Sequence, residues 1–179
     1  YTALQSQLNP HFLFNSLNTL IAEIEYNPDN AVSFTKNLSS VYRYVLQSQD
    51  KTLVSLVEEL EFLDSYLFLH KVRLGDCISC RRDIPADLTE AMLPPLTLQL
   101  LVENVIKHNT ITSARPMKID IFVQEDHLVV SNPVQPRKSR ESSGVGLKNL
   151  SNRCKLMLGE EIRIINENEV FTVKVPLLV

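Results

Sequence analysis

Three short segments of the sequence hold residue types that could bind or transfer phosphate, and the first surrounds His11. The segment Gln7 to Asn18 reads QLNPHFLFNSLN, with the histidine directly after Pro10 and with Asn15 one helical turn beyond it. Histidine has an ordinary pKa of about 6.5, so its neutral ring can act as a nucleophile toward phosphorus, and Asn15 could orient that ring. The alternative is a structural histidine at an interface, since an Asn-Pro pair is also a good helix start. The local spacing leaves both interpretations open.

The second segment, Gln99 to Asn109, predicts a helix with polar pairs at i, i+4 spacing. Asn104 and His108 form one pair and share a face. Asparagine lowers helix propensity by roughly a few tenths of a kcal/mol, which suggests a role for its carbonyl oxygen, such as binding Mg²⁺. Lys107 and His108 could meet phosphate groups. The alternative is a solvated helix face with an ordinary ion pair between Glu103 and Lys107.

The third segment places Gly144 and Gly146, two of only four glycines in the chain, at the start of a predicted helix. Backbone N–H groups at such a helix N-terminus can approach a polyphosphate closely. Three basic residues, Arg137, Lys138 and Arg140, precede the glycines. The alternative is a flexible turn that only connects a loop to a helix.

The first of these segments lies in a predicted helical hairpin. Its first helix carries four apolar residues at helical spacing, Leu13, Leu17, Leu20 and Ile24. We expect this apolar stripe to be the packed face of the first helix and His11 to lie on its opposite, polar face. A second helix begins at Asn27-Pro28-Asp29, and its apolar stripe is Phe34, Leu38, Val41 and Val45. Because a lone hairpin has too little core, we expect it to pair with a second copy as a four-helix bundle.

A polar break at residues 48–51 predicts a domain boundary, which divides the chain into residues 1–50 and 51–179. A capping box at Ser55 to Glu58 opens a helix that stops at Gly75. The following pattern predicts a strand at 77–82, a helix at 95–108, a strand hairpin that turns at 125–126, a helix from 144 to 159, and strands at 161–165 and 170–175. Residues 133–143 have no periodicity and predict a mobile loop. This order indicates an α+β fold with a mixed sheet covered by helices on one face.

Composition narrows the class of protein. The 179 residues include 18 basic and 21 acidic side chains, and the resulting net charge of -3 gives no general attraction to nucleic acid or to an anionic membrane. Three cysteines without framework spacing favour a reducing compartment such as the cytoplasm. No apolar run approaches the roughly 20 residues of a membrane-spanning helix. Because the chain begins at Tyr1, we expect it to be part of a longer protein.

Taken in order over nearly the whole chain, the three segments resemble the LytS-type sensor histidine kinases. Residues 7–18 are similar to the phosphoacceptor segment of that family. The remainder is similar to the GHKL-type ATPase domain, with an asparagine box at Glu103 to His108 and a second glycine box at Gly144 to Leu147. The resemblance implies that ATP and Mg²⁺ bind, that His11 receives the γ-phosphate, that Asn104 holds the ion, and that residues 133–143 are the ATP lid.

The resemblance also implies partners and a location. It implies a homodimer formed through the hairpin and transfer of the phosphoryl group to an aspartate in the receiver domain of a response regulator. It further implies the cytoplasmic part of a bacterial protein of the inner or plasma membrane, with membrane segments upstream of this chain. Nucleic acid is not an expected partner.

The sequence departs from the family pattern in two places. The first glycine box, normally Asp-x-Gly-x-Gly, is replaced by SNPVQ at residues 131–135, so Asn132 would offer the adenine amino group a neutral carbonyl oxygen. No acidic residue follows His11, which makes Glu103 a candidate base. Two alternatives therefore stay open. One is a degenerate kinase that acts as a dimeric scaffold for a nucleotide or a regulator, and the other is a module in which Glu103 activates water to hydrolyse ATP.

Overall fold

The computed structural model describes residues 10–137 and 144–179. Two helices, α1 (Pro10–Tyr26) and α2 (Pro28–Ser48), form the predicted antiparallel hairpin and are separated by Asn27 alone. The start of α2 follows the sequence, with Pro28 at its first position and an acidic residue in its first turn. Proline suits this position because the first helical N–H has no partner within the helix.

Helix α3 (Leu56–Leu74) begins at the predicted capping box, where the Glu58 N–H donates to Ser55 Oγ at 3.3 Å and the Ser55 N–H donates to Glu58 Oε1 at 3.4 Å. Gly75 follows the helix with φ +72°, a conformation that favours glycine. Helix α4 (Thr97–His108) begins two residues later than predicted, because Leu96 adopts a left-handed φ of 64° that a helix cannot include.

Five strands form one mixed sheet, and they are β2 (Ile78–Asp83), β4 (Met117–Gln124), β5 (His127–Pro133), β6 (Arg163–Glu167) and β7 (Val170–Pro176). Their order in the sheet is β2-β4-β5-β7-β6. β2 is parallel to β4, and the other neighbours are antiparallel. Helix α5 (Val145–Leu158) connects β5 to β6. A two-stranded sheet of β1 (Val54–Ser55) and β3 (Met92–Leu93), which the sequence analysis did not predict, lies beside α3.

Side chains of β4 show that the helices cover one face of the main sheet. Met117, Ile119 and Ile121 are fully buried and belong to the core, whereas Lys118 and Asp120 are exposed. The two-residue turn between β4 and β5 lies at residues 125–126, as predicted, and both residues have positive φ. The α+β class with a mixed sheet is confirmed. Within the described ranges, no helix has both the length and the apolar character needed to cross a bilayer.

The hairpin packs against the α/β part of the same chain. Phe34, Val41 and Val45 of α2 are buried in the core that α3 completes, as predicted for their stripe. The apolar stripe of α1 was also predicted to pack, and within a single chain this prediction is wrong. Leu13, Leu17 and Ile24 of that stripe are 39%, 42% and 56% exposed. As an outer helix, α1 can bury only one side, and it buries the side that carries Phe12, Ser16 and Leu20.

The prediction of a mobile loop from residue 133 onward is wrong for its first part. Pro133 is the last residue of β5, and the Val134 N–H donates to the Glu169 carbonyl at 2.8 Å. The Gln135 N–H donates to Asn109 Oδ1 at 2.8 Å, and the Gln135 carbonyl accepts from the Thr110 N–H at 2.8 Å. Backbone groups that find partners in this way hold the segment in place despite its two prolines.

Candidate functional site

Helix α4 presents two neighbouring polar faces, and each of them lines a cavity. Asn104 and His108 line the first cavity, whereas Glu103 and Lys107 line the second. Successive residues of a helix are about 100° apart around its axis, so the two cavities lie on adjoining faces of α4. The opposite side of α4 is anchored in the core by buried leucine and valine side chains.

The first cavity, which we call the asparagine cavity, has a volume of about 300 Å³. Its lining residues are Asn104, Val105, His108, Asn109, Asn132, Val134, Leu147, Asn166 and Phe171. The structure thus brings together four residues that the sequence predicted, from α4, β5 and α5. The other five, Val105, Asn109, Val134, Asn166 and Phe171, were not among the predicted site residues. The spacing of Asn166 and Phe171 along the chain carries no signal that they meet here.

Asn132 lies in β5, is only 3% exposed and reaches the asparagine cavity. Its side-chain nitrogen Nδ2 donates to the Pro133 carbonyl at 2.8 Å. This bond orients the amide and leaves the oxygen Oδ1 as the acceptor that a ligand could use. The residue at the altered glycine box therefore has a defined orientation.

The two glycines of the third segment have different structural roles. Gly144 precedes α5 with a left-handed φ of +67°. A Cβ at Gly146 would lie 2.8 Å from Leu100 Cδ1, so this glycine allows α5 to approach α4 closely. Because Leu147 lines the asparagine cavity, the positive N-terminal end of α5 lies beside that cavity.

The second cavity, which we call the histidine cavity, contains His11 and has a volume of about 380 Å³. Its lining residues are His11, Phe12, Asn15, Tyr66, His70, Arg73, Glu103, Ile106, Lys107 and Arg137. Lys107 and Arg137 lie beside His11 rather than in the asparagine cavity. The predicted cations Lys138 and Arg140 lie outside the described residues.

Glu103 accepts a hydrogen bond from Gln99 Nε2 on the same helix. Burial raises the pKa of Glu103, and the charge of Lys107 and the bond from Gln99 only partly oppose that rise. In the described part of the chain, no nitrogen of Lys107 lies within 4 Å of the Glu103 carboxylate, so the ordinary ion pair is not formed. A carboxylate with a raised pKa accepts a proton more readily near neutral pH.

Aromatic contacts fix α1 against α3 at this cavity. The Phe12 ring stacks on Tyr66 with centroids 5.5 Å apart and lies 5.6 Å from the His70 ring. Because Phe12 is the neighbour of His11, these contacts determine where the exposed His11 imidazole can reach.

Comparison with known proteins shows which proteins this chain is similar to. Residues 1–78 match the sequence profile described as histidine kinase. The sensor histidine kinase YpdA of Escherichia coli K12 is 33% identical in an alignment of 176 positions, gaps included, that covers 90% of this chain and 31% of YpdA. The sensor protein LytS of Bacillus anthracis is 29% identical in an alignment of 185 positions, gaps included, that covers 94% of this chain and 31% of LytS. The Acinetobacter baumannii histidine kinase AdeS aligns structurally with a TM-score of 0.46 and 15% identity, over 98% of this chain and 93% of AdeS.

The chain therefore matches the histidine kinase family model over residues 1–78 and is similar to sensor histidine kinases over nearly its whole length. Its sequence relatives include sensor kinases named LytS, which confirms the resemblance found in the sequence. The chain spans about a third of the length of the curated relatives YpdA and LytS, 31% of each.

Proposed function

We propose that this chain is the catalytic core of a sensor histidine kinase, in which His11 takes the γ-phosphoryl group of ATP. The placement of two cavities on adjoining faces of α4 carries this proposal, since one suits a nucleotide and the other holds His11. A ligand that follows the helix surface from one face to the other would bring its far end toward His11.

The asparagine cavity fits the base of a nucleotide. Val105, Val134, Leu147 and Phe171 supply apolar surface for a flat ring. Asn132 Oδ1 is the acceptor for an exocyclic amino group. The Asn104 carbonyl oxygen is the type of ligand that Mg²⁺ prefers, and the bound ion would offset charge on the phosphate oxygens. The N–H groups at the start of α5 lie where phosphates would pass.

In the proposed reaction, a neutral ring nitrogen of His11 forms a bond to the γ-phosphorus. The bond from that phosphorus to the bridging oxygen breaks, and its electron pair leaves with ADP. The other ring nitrogen then releases its proton, for which Glu103 is the proposed base. Lys107 and Arg137 would offset the negative charge of the transferring group.

The exposed stripe of α1 supports the proposed homodimer. Leu13, Leu17 and Ile24 are large apolar side chains with substantial exposure, and a groove of about 690 Å³ between α1 and α2 continues this surface. A second hairpin packed on it would complete a four-helix bundle, with residues 1–50 as the dimerisation unit. Onward transfer to a receiver-domain aspartate and upstream membrane segments belong to the same proposal.

Asn132 favours a second candidate function, a degenerate kinase that acts as a scaffold. Its neutral oxygen is a weaker acceptor than the carboxylate usual in the family, so nucleotide binding would be weaker. The position of Glu103 in the histidine cavity favours transfer to His11 over hydrolysis of ATP.

Incubation of the dimeric protein with Mg²⁺ and γ-labelled ATP tests the proposal. We expect acid-labile, base-stable label in the wild type and none in His11→Gln, whereas the control His127→Gln, at the far turn of the sheet, keeps it. Asn104→Ala should lose Mg²⁺-dependent labelling while it retains its fold by circular dichroism. A wild-type protein that binds ATP and takes up no label would contradict the kinase proposal and support the scaffold.

A further inference from the structure

A third positive charge faces the histidine cavity, and it comes from outside the nucleotide-binding segments. Arg73 lies in the last turn of α3 and lines the cavity together with His11, Lys107 and Arg137. Arg73 is an exposed residue that lines this cavity, so its side chain is accessible to a group that enters the cavity. An arginine presents several N–H donors in a planar fork that matches phosphate oxygens.

The guanidinium of Arg73 is held by a buried histidine. Arg73 Nη2 lies 3.2 Å from His70 Nδ1, one turn earlier on α3. Arginine only donates hydrogen bonds, so Nδ1 must accept, and the ring is therefore neutral with its hydrogen on Nε2. Burial, assisted by the charge of Arg73, lowers the pKa of His70 to about 3, which agrees with a neutral acceptor.

The His70 ring itself has little freedom to move. It is 7% exposed, its centroid lies 4.6 Å from the ring of Tyr66 in an edge-on arrangement, and Phe12 lies 5.6 Å away. The packing that orients the arginine therefore also contacts the neighbour of His11.

A histidine at position 70 also places a polar group where it lowers the stability of the folded protein. Its Nε2 is buried without a hydrogen-bond partner among the described residues. Such an unsatisfied buried group destabilises the folded state, and a phenylalanine ring would bring no such group. The acceptor Nδ1 is the feature of histidine that phenylalanine lacks, which indicates that orienting Arg73 is the role of this ring.

We propose that His70 and Arg73 act as a pair, in which His70 holds the guanidinium toward the histidine cavity and Arg73 binds the phosphoryl group as His11 receives it. Arg73 is then a catalytic residue, and His70 is a positioning residue. This inference rests on the proposed function, since it assigns two more residues to the same transfer.

Single-turnover labelling of His11 at saturating ATP tests the pair. We expect Arg73→Gln to slow labelling about 10- to 100-fold, less than the loss at a fully buried charge-stabilising group, because the arginine is exposed. The Kd for ATP should stay within about twofold, since the asparagine cavity does not include Arg73. Arg73→Lys should recover part of the rate, because it keeps the charge without the fork.

His70→Phe should slow labelling by about 3- to 10-fold while the protein becomes no less stable, an outcome that a purely structural histidine would not produce. The matched control is Lys71→Gln, which removes a positive charge from the same helix at a residue outside the histidine cavity. The ³¹P resonance of phosphorylated His11 should shift in Arg73→Gln and stay unchanged in Lys71→Gln.

The outcomes separate this inference from the proposed function. If the wild type takes up no label, the kinase proposal fails and this inference fails with it. If the wild type is labelled and Arg73→Gln is labelled as fast as Lys71→Gln, only the assignment of Arg73 is overturned. A weaker Kd for ATP with an unchanged saturating rate would instead assign Arg73 to nucleotide binding and also overturn the inference.

Discussion

Replacing Glu59 with alanine should destabilise the protein severely, because this carboxylate joins three helices at a site without solvent. Glu59 lies in α3 and is 0% exposed. Its Oε2 accepts from the Leu96 N–H at 3.1 Å and from the Tyr44 hydroxyl of α2 at 2.5 Å, and its Oε1 accepts from the Leu98 N–H at 3.1 Å. The carboxylate thus caps the N-terminus of α4 and ties it to the hairpin.

The size of the effect follows from those bonds. A hydrogen bond to a charged group contributes about 1.5–3 kcal/mol, and a buried donor left without a partner costs about 1–3 kcal/mol. Alanine would leave two buried backbone N–H groups and one hydroxyl without their hydrogen-bond acceptor, so we expect a loss of about 3–5 kcal/mol in the free energy of unfolding. Whole domains are stable by only about 5–15 kcal/mol, so the variant should be close to unfolding.

Urea unfolding followed by circular dichroism measures the change. The control is Glu61→Ala, an exposed residue of the same helix, which should change stability by less than about 0.5 kcal/mol. A double-mutant cycle of Glu59→Gln with Tyr44→Phe should give a coupling of about 0.5–3 kcal/mol, since the two groups share a bond. A Glu59→Ala protein that unfolds within about 1 kcal/mol of the wild type, or a coupling of zero, would refute the reasoning.

Three further perturbations test other parts of the structure. Gly144→Ala should cost about 1 kcal/mol in urea unfolding, because its left-handed φ disfavours a Cβ that would otherwise meet no atom within 4 Å; an unchanged midpoint would contradict this. The bond to Glu160 raises the pKa of His127, so its contribution to stability is present below about pH 6.5 and is lost as pH rises through the folded-state pKa. His127→Gln should therefore flatten the pH dependence of the urea midpoint between roughly pH 6 and 8. Asn132→Asp should lower the free energy of unfolding by about 1–3 kcal/mol and so lower the melting temperature, because a carboxylate oxygen would face the Pro133 carbonyl that now accepts from the amide nitrogen. An unchanged or higher melting temperature would show that this bond is unimportant.

Features that depend on neighbouring residues were predictable from the sequence. The capping box at Ser55, the stop at Gly75 and the β4–β5 turn at residues 125–126 all rest on contacts or torsions within a few residues. The alternation of β4 predicted which side chains enter the core, and the i, i+4 pair of Asn104 and His108 does share one cavity. Such signals survive folding because their partners are already close along the chain.

The tertiary structure alone decided which surfaces meet. The sequence showed an apolar stripe on α1, but most of that stripe is exposed and Phe12 on the adjoining side packs against the core instead. An outer helix buries only the face that is turned toward its neighbour. Pattern reasoning treated residues 133–143 as one loop, yet Asn109, 26 residues before Gln135, holds its first part.

Around His11, too, some features were predictable from the sequence and others depend on the tertiary structure. Its segment and the asparagine and glycine segments were visible in the sequence, and they indicated the family. The roles proposed for His70 and Arg73 depend on the packing of α3 against α1 and α4. These two residues are about 60 positions from His11 and about 35 positions from Lys107 in the chain. No local pattern encodes a contact of that range, because it exists only once the core has brought the helices together.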